Sequence, residues 1–348
     1  MSLITYVTRI HFADRILEDA LAEELARCKS RRPLIVAEPE PAGDDSIERL
    51  FDALPVAAEP NSFAPACGRL TAADVARARS THGDAGCDAL IGFGGARPLD
   101  LARLLGSTLG APVIAVPTRT DSVGLGALGV PFARTAQEGC VPSAILCDAT
   151  LGLGADAPTT ATAGMVALVQ CLEAYLGTAY NPPADGIALE GLRRAARYLE
   201  PALANRQDLA ARRELLAAAL NAGLAAQKGQ GGIAAAGRAL EAEAEPLLRQ
   251  GACDAALLPA VLAFNAPAIA DRFAAIAEAL RLPRRADIVA ALVDLAARVG
   301  LPTRLAALGI DAALLEPAAR AAAADVANRT NPRHATARDY QTILEAAW

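Results

Sequence analysis

Histidine is scarce in this chain of 348 residues: His11, His82 and His334 are all it has, so no imidazole falls between 83 and 333. That gap excludes a histidine-built transition-metal site from the central part of the chain. Lysine is scarcer still. Of 33 basic residues only Lys29 and Lys228 are lysines, which leaves 31 arginines; with the abundant alanine this reads as codon composition rather than function. The seven cysteines, at 28, 67, 87, 140, 147, 171 and 253, include no C-x-x-C pair, so neither a disulfide framework nor a zinc ribbon is indicated and a reducing cytoplasm is expected. Excess positive charge is also lacking. A net charge of −6 and a pI near 5.3 argue against a nucleic-acid partner. No run of 18 apolar residues suggests a membrane span, and the start MSLITYVTRIHFAD has no basic region followed by an apolar one, so no signal peptide is expected.

What is present is enough apolar sequence for two cores, since 53% of the residues are hydrophobic and the length exceeds what one core usually fills. Short apolar runs at 33–38, 88–95, 112–118 and 143–148 read as buried parallel strands, with helical periods at 14–29, 71–82 and 98–109. That rhythm predicts an α/β domain over 1–156. From 157 to 348 the pattern becomes all-helical, with helices at 160–177, 185–203, 206–226, 232–244, 253–265, 267–281, 285–299, 311–327 and 336–347. No fixed-period repeat occurs.

GFGGARPLDLARLLG (92–106) follows one predicted strand and opens a helix, where backbone N–H groups and the helix dipole suit phosphate oxygens. A tight turn would use the same glycines. A second strand ending in PTRTDSVGLG is placed to close over the same ligand, and Glu38, at the end of LIVAE, stands where an acid hydrogen-bonds a ribose hydroxyl.

These stretches resemble one family, the iron-containing (group III) alcohol dehydrogenases, and within it the maleylacetate reductase branch. GGARPLDLAR (94–103) is similar to that family's G-G-G-S-x-x-D-x-A-K, and TAGMVALVQCLEAY (162–175) to T-x-G-M-D/N-A-L-x-H-x-V/I-E-A-Y. APVIAVPT, SAILCDATL, ALLPAVLAFN (256–265) and the closing NPRHATARDYQTILEAAW follow in the family's order. The resemblance implies a dehydroquinate synthase-like fold: a dinucleotide-binding domain with a parallel sheet, then the helical domain. It also implies NAD(H) or NADP(H), a substrate cleft facing the helices, and a homodimer. Gly94, Gly95, Asp100 and Thr118 inherit the cofactor role, and Arg97, Arg119 and Ser122 join them in the two loops. Glu38 leans the choice toward NADH.

The departures concern the metal. The family's acidic ligand falls on Val166, its first histidine on Gln170 one turn later, and a later histidine on Gln250; the remaining one should lie within 234–242, where none exists. Glu173 is expected as a structural acid, and Cys171 and Cys253 as small core residues, though these and Asp254 could improvise a site. No metal is expected. The family's third glycine, serine and lysine are here Ala96, Arg97 and Arg103, and Arg119 brings a second bulky cation that Asp121 could neutralise. Carbonyl reduction still needs a hydrogen-bond donor or acid at the oxygen. Candidates are Gln170, Arg119, Arg238, Tyr175 and Tyr180, although Arg238 could instead pair with Glu241 or Glu245, and each tyrosine could be a packed ring with a surface hydroxyl. The leading expectation is a metal-independent reductase of a small, possibly carboxylated carbonyl compound. The alternatives are a repurposed lyase, isomerase or cyclase, and a non-catalytic dimer partner.

Overall fold

The computed structural model describes residues 8–38, 45–66, 68, 70–122, 140–244 and 250–348, and of Asp121 the backbone alone. The chain forms two compact units, Thr5–Ala155 with Gln207–Leu216, and a second containing Asp156–Arg206 and Ala217–Trp348.

In the first unit the described elements are β1 (Arg9–Phe12), α1 (Ile16–Arg27), β2 (Pro33–Ala37), α2 (Ser46–Asp52), β3 (Asn61–Phe63), α3 (Ala72–Asp84), β4 (Ala89–Gly94), α4 (Ala96–Leu109), β5 (Val113–Pro117), the single turn α5 (Thr120–Ser122) and β6 (Ala144–Cys147). All strands pair in parallel in the order β1-β6-β5-β4-β2-β3. Parallel strands must be covered on both faces, which is why the central ones read as continuous apolar runs. Ile35, Ile91 and Ile114 pack toward Leu17, Leu21 and Leu25 of α1, while Leu34, Leu90 and Val113 pack toward Ala78 of α3 and Leu101 and Leu105 of α4. The four strands expected from sequence are the central four. The two that sequence did not reveal are the edges: RIHF alternates charge with apolar residues, and NSF is too short to show a period.

The second unit holds α6 (Ala157–Leu176), α7 (Pro182–Ala204), α9 (Gly232–Glu243), α10 (Gln250–Ile269), α11 (Phe273–Ala279), α12 (Ile288–Arg298), α13 (Leu315–Ala324) and α14 (Ala337–Ala347); α8 (Leu209–Ala225) precedes α9. Asp156, Asn181 and Thr336 cap α6, α7 and α14 with their side chains. Helix α6 is buried on nearly every side because small residues let its neighbours close in. A Cβ on Gly164 would collide with Leu199, one on Gly191 with Cys171, and one on Gly251 with the Thr162 carbonyl.

The break expected in α10 near 266 does not occur. Pro259 and Pro267 lie inside the helix, and burial of Leu257, Leu258, Val261, Leu262 and Ile269 offsets the hydrogen bonds they remove. This helical run, Gln250–Ala279, is long and apolar enough to cross a membrane by composition, but most of its apolar stretch is buried in the protein, as in a core helix. Lys228 is also sealed in this unit: its side chain is 0% exposed, and its Nζ donates to the Tyr175 carbonyl at 3.1 Å and to Asp185.

Candidate functional site

At the C-terminal ends of β2, β4 and β5 the glycine loop takes a shape its sequence requires. Gly94 has φ +124°, which L side chains rarely adopt. Gly95 precedes the first turn of α4, and no side chain caps that helix. Its free N–H groups suit an anion. The Thr118 N–H donates to the Gly94 carbonyl at 3.0 Å, joining the ends of β4 and β5. Around this turn stand Glu38 and Arg119: a Cβ on Gly95 would lie 3.2 Å from Glu38 Oε2 and 3.5 Å from Arg119 Cδ.

The side chain of Asp121, the partner expected for Arg97 or Arg119, lies outside the described residues. Arg97 reaches the acid at the end of β2. Its guanidinium meets Glu38 at 3.3 Å and donates to the Ala66 carbonyl, because the end of β2 brings an acid within reach. Ser122 donates to the Arg119 carbonyl at 2.5 Å, closing the turn of α5. Asp100 faces Arg103, 3.2 Å away on the same helix. Burial pushes its carboxyl up to about 7, with Arg103 only partly opposing. Arg103 also donates from Nε to the Cys140 carbonyl at 3.1 Å, so the residue at the family's lysine position anchors the chain ahead of β6.

In the helical unit, α6, α9 and α10 build a second polar locus. The Glu173 carboxylate accepts from the N–H groups of Ile233 (2.7 Å) and Ala234 (3.2 Å) in the first turn of α9, which is the structural role expected of it. Burial still pushes it up to about 7, against those backbone bonds and the Arg238 charge. One turn before it on α6, Gln170 is 3% exposed, and both its amide oxygen and nitrogen are buried without a hydrogen-bond partner. On α10, Asp254 is 2% exposed with Oδ2 unpartnered, and Gln250, one turn earlier, has an unpartnered Oε1. Leaving a buried polar group unpaired costs about 1–3 kcal/mol each, a cost found where a ligand completes the set.

The positions that should hold iron do not fit it. Val166 presents hydrocarbon, Gln170 and Gln250 neutral amides, and 234–242 holds no imidazole. Among the described residues no three of His, Cys, Asp and Glu assemble as a metal site. Iron and zinc need several imidazole, thiolate or carboxylate donors converging.

Arg238 grips Asp325 through Nε at 3.0 Å and through Nη2, and donates to Gln230 Oε1 at 2.7 Å. Glu245, one of its two expected partners, lies outside the described residues. Asp325 is distant in sequence, so no local pattern announces it. Tyr175 is half-buried with the Arg272 guanidinium 5.1 Å from its ring centre, whereas Tyr180 is 80% exposed, so its ring is not packed. The closing Asn-Pro-Arg is structural. Asn331 Oδ1 accepts from the Gly232 N–H (3.0 Å) and from Asn265 (2.9 Å), fixing the start of α9, while Arg333 stacks 4.1 Å from the Phe264 ring centre.

The model of the Fe-containing alcohol dehydrogenase family, C-terminal, matches residues 160–348, and that of iron-containing alcohol dehydrogenase matches 8–124. A 4-hydroxybutyrate dehydrogenase from Cupriavidus necator is 33% identical over 99% of both chains. An NAD-dependent methanol dehydrogenase from Bacillus methanolicus is 29% identical over 75% of this chain and 77% of its own. The crystal structure of maleylacetate reductase from Rhizobium sp. strain MTP-10005 superposes with a TM-score of 0.85 at 26% identity, covering 100% of this chain and 97% of its own. The chain is therefore an oxidoreductase belonging to the iron-containing alcohol dehydrogenase family.

Proposed function

We propose that this chain is a metal-independent, NAD(P)H-dependent reductase of a small carboxylated carbonyl compound, similar in kind to maleylacetate reductase. The observation that carries the proposal is Gln170. A buried amide with neither atom partnered, at the position of a family metal ligand, is set up to bind a substrate oxygen rather than a cation. Its N–H would hold the carbonyl oxygen where the metal otherwise would. A bound dihydronicotinamide supplies the hydride. Gly94, Gly95 and the first turn of α4 would receive the cofactor's pyrophosphate, and Glu38 the adenosine ribose. Glu38 beside Gly95 favours NADH, since its charge opposes a 2′-phosphate and already answers Arg97. A carboxylated substrate agrees with 4-hydroxybutyrate and maleylacetate in the names of two relatives. The proposed working form is a cytoplasmic homodimer, consistent with the six described cysteines all being free thiols.

The test is a calorimetric titration with NADH and NADPH, followed by reduction of 4-oxobutanoate (the aldehyde that corresponds to 4-hydroxybutyrate) by metal-stripped protein. Saturable binding, tighter for NADH, and turnover that added iron or zinc does not raise are expected. One tightly held metal per chain with turnover lost on chelation would overturn metal independence. No cofactor binding at millimolar concentration would overturn the reductase reading.

A further inference from the structure

Gln170 can hold a carbonyl oxygen but cannot give up a proton at neutral pH, and no histidine lies between 83 and 333. The helices around it carry the carboxyls of Glu173, Glu241 and Asp254. Glu173, on the same face of α6 as Gln170, binds the first turn of α9 at Ile233 and Ala234. Gly237 lies one turn onward from Ile233, and a Cβ placed on it would stand 3.6 Å from Asp254 Oδ1 of α10. The circuit closes where α10 meets α6 at Gly251 against Thr162. Gly237 thus presents no side chain toward the Asp254 carboxyl. That carboxyl is 2% exposed, its Oδ2 has no partner, and no cation pairs with it among the described residues.

We propose that Asp254 is the proton donor of the reduction, a catalytic residue that delivers its carboxyl proton to the substrate oxygen held beside Gln170. The proposal rests on the reductase reading given above. As the carbonyl carbon accepts hydride from the dihydronicotinamide, which is oxidised to nicotinamide, the C=O π pair moves to oxygen. The O–H bond of Asp254 breaks, its proton forms the new alcohol O–H, and the carboxylate left behind regains a proton from water.

The surroundings keep that proton in place beforehand. Burial, then the negative fields of Glu173 from α6 and Glu241 from α9, push Asp254 well above the usual carboxylate range. Arg238 of α9 opposes them, but its guanidinium is bound by Asp325. Tyr340 of α14 is raised by Glu173 and Asp325 as well as by burial, so it remains neutral. A carboxylic acid held neutral in an apolar site is a competent donor.

The experiment begins with the full-length chain without substrate. An infrared difference spectrum between the protein and Asp254→Asn should contain the C=O stretch of a protonated carboxyl at neutral pH, shifting in D2O. A carboxylate signal in its place overturns the proposal without any assay. With NADH and 4-oxobutanoate, Asp254→Asn should lower kcat by about 10²–10⁴-fold, leave NADH affinity within about twofold, and abolish the loss of rate on the alkaline side of the pH profile. Asp254→Asn that turns over like the unaltered protein overturns the donor role alone. A chain that binds neither cofactor overturns both readings. Gly237→Ala fills the space in front of Oδ1 at ordinary contact distance and decides the matter if Asp254→Asn fails to fold: an unchanged kcat overturns the proposal, and a drop of about tenfold or more supports it.

Discussion

The loop ahead of α4 and the face shared by α6, α9 and α10 are both polar, yet they are held in opposite ways. At the loop, charge is answered by charge: Arg97 meets Glu38, and Asp100 meets Arg103. At the helical face, Gln170 and Asp254 are buried with atoms that nothing among the described residues satisfies. The helical face presents the amides of Gln170 and Gln250 and the acid Asp254. Polar groups that are paired mainly fix structure, whereas polar groups left unpaired in an interior mark where something else binds.

That contrast can be broken at the loop first. Gly95→Asp sets a second carboxylate beside Glu38 and in front of the uncapped turn of α4, so NADH affinity should fall by on the order of 100-fold or more in calorimetry. Affinity within threefold of the unaltered protein would mean the loop does not hold the phosphates. Next comes the helical packing. Gly251→Ala drives a methyl into the Thr162 carbonyl and should cost about 1–3 kcal/mol in denaturant unfolding, whereas Gly237→Ala should cost less than about 1 kcal/mol.

Glu173→Gln sharpens the same comparison through pH. Because the folded state raises this carboxyl from its ordinary 4.5 to about 7, its protonated form is favoured by folding, and the associated stability is lost as pH climbs between those values. The unaltered protein should therefore lose melting temperature relative to Glu173→Gln across that interval, and parallel curves would refute it. The smallest effect belongs to Glu38→Gln, which frees Arg97 for a 2′-phosphate. The preference for NADH over NADPH should shrink about 3–10-fold.

Most of the architecture was legible because it depends on period and punctuation. Buried strands such as ALIGFG and helices flanked by Pro, Gly and Asp announce themselves through their own residues. The edge strands β1 and β3 did not, since an edge needs no continuous apolar run. Pro267 suggested a break in α10 that tertiary burial overrides. At the site, the absence of histidine between 83 and 333 was plain from sequence, as was the structural part of Glu173. The pairing of Arg238 with Asp325, and of Arg97 with Glu38, was not, because each joins segments far apart along the chain. Asp254 stood out only as a possible ligand; that its Oδ2 has no partner is a property of packed helices, not of any one segment.

The sealing of Lys228 has a practical consequence for anyone handling this protein. With its ammonium closed in between Asp185 and the Tyr175 carbonyl, the exposed Lys29 is the one lysine side chain that an amine-directed dye or surface tether can reach. Lys29 sits just past the end of α1, in the unit that carries the glycine loop. A probe attached there would report on that unit from a single, defined point, with no lysine needing to be removed beforehand.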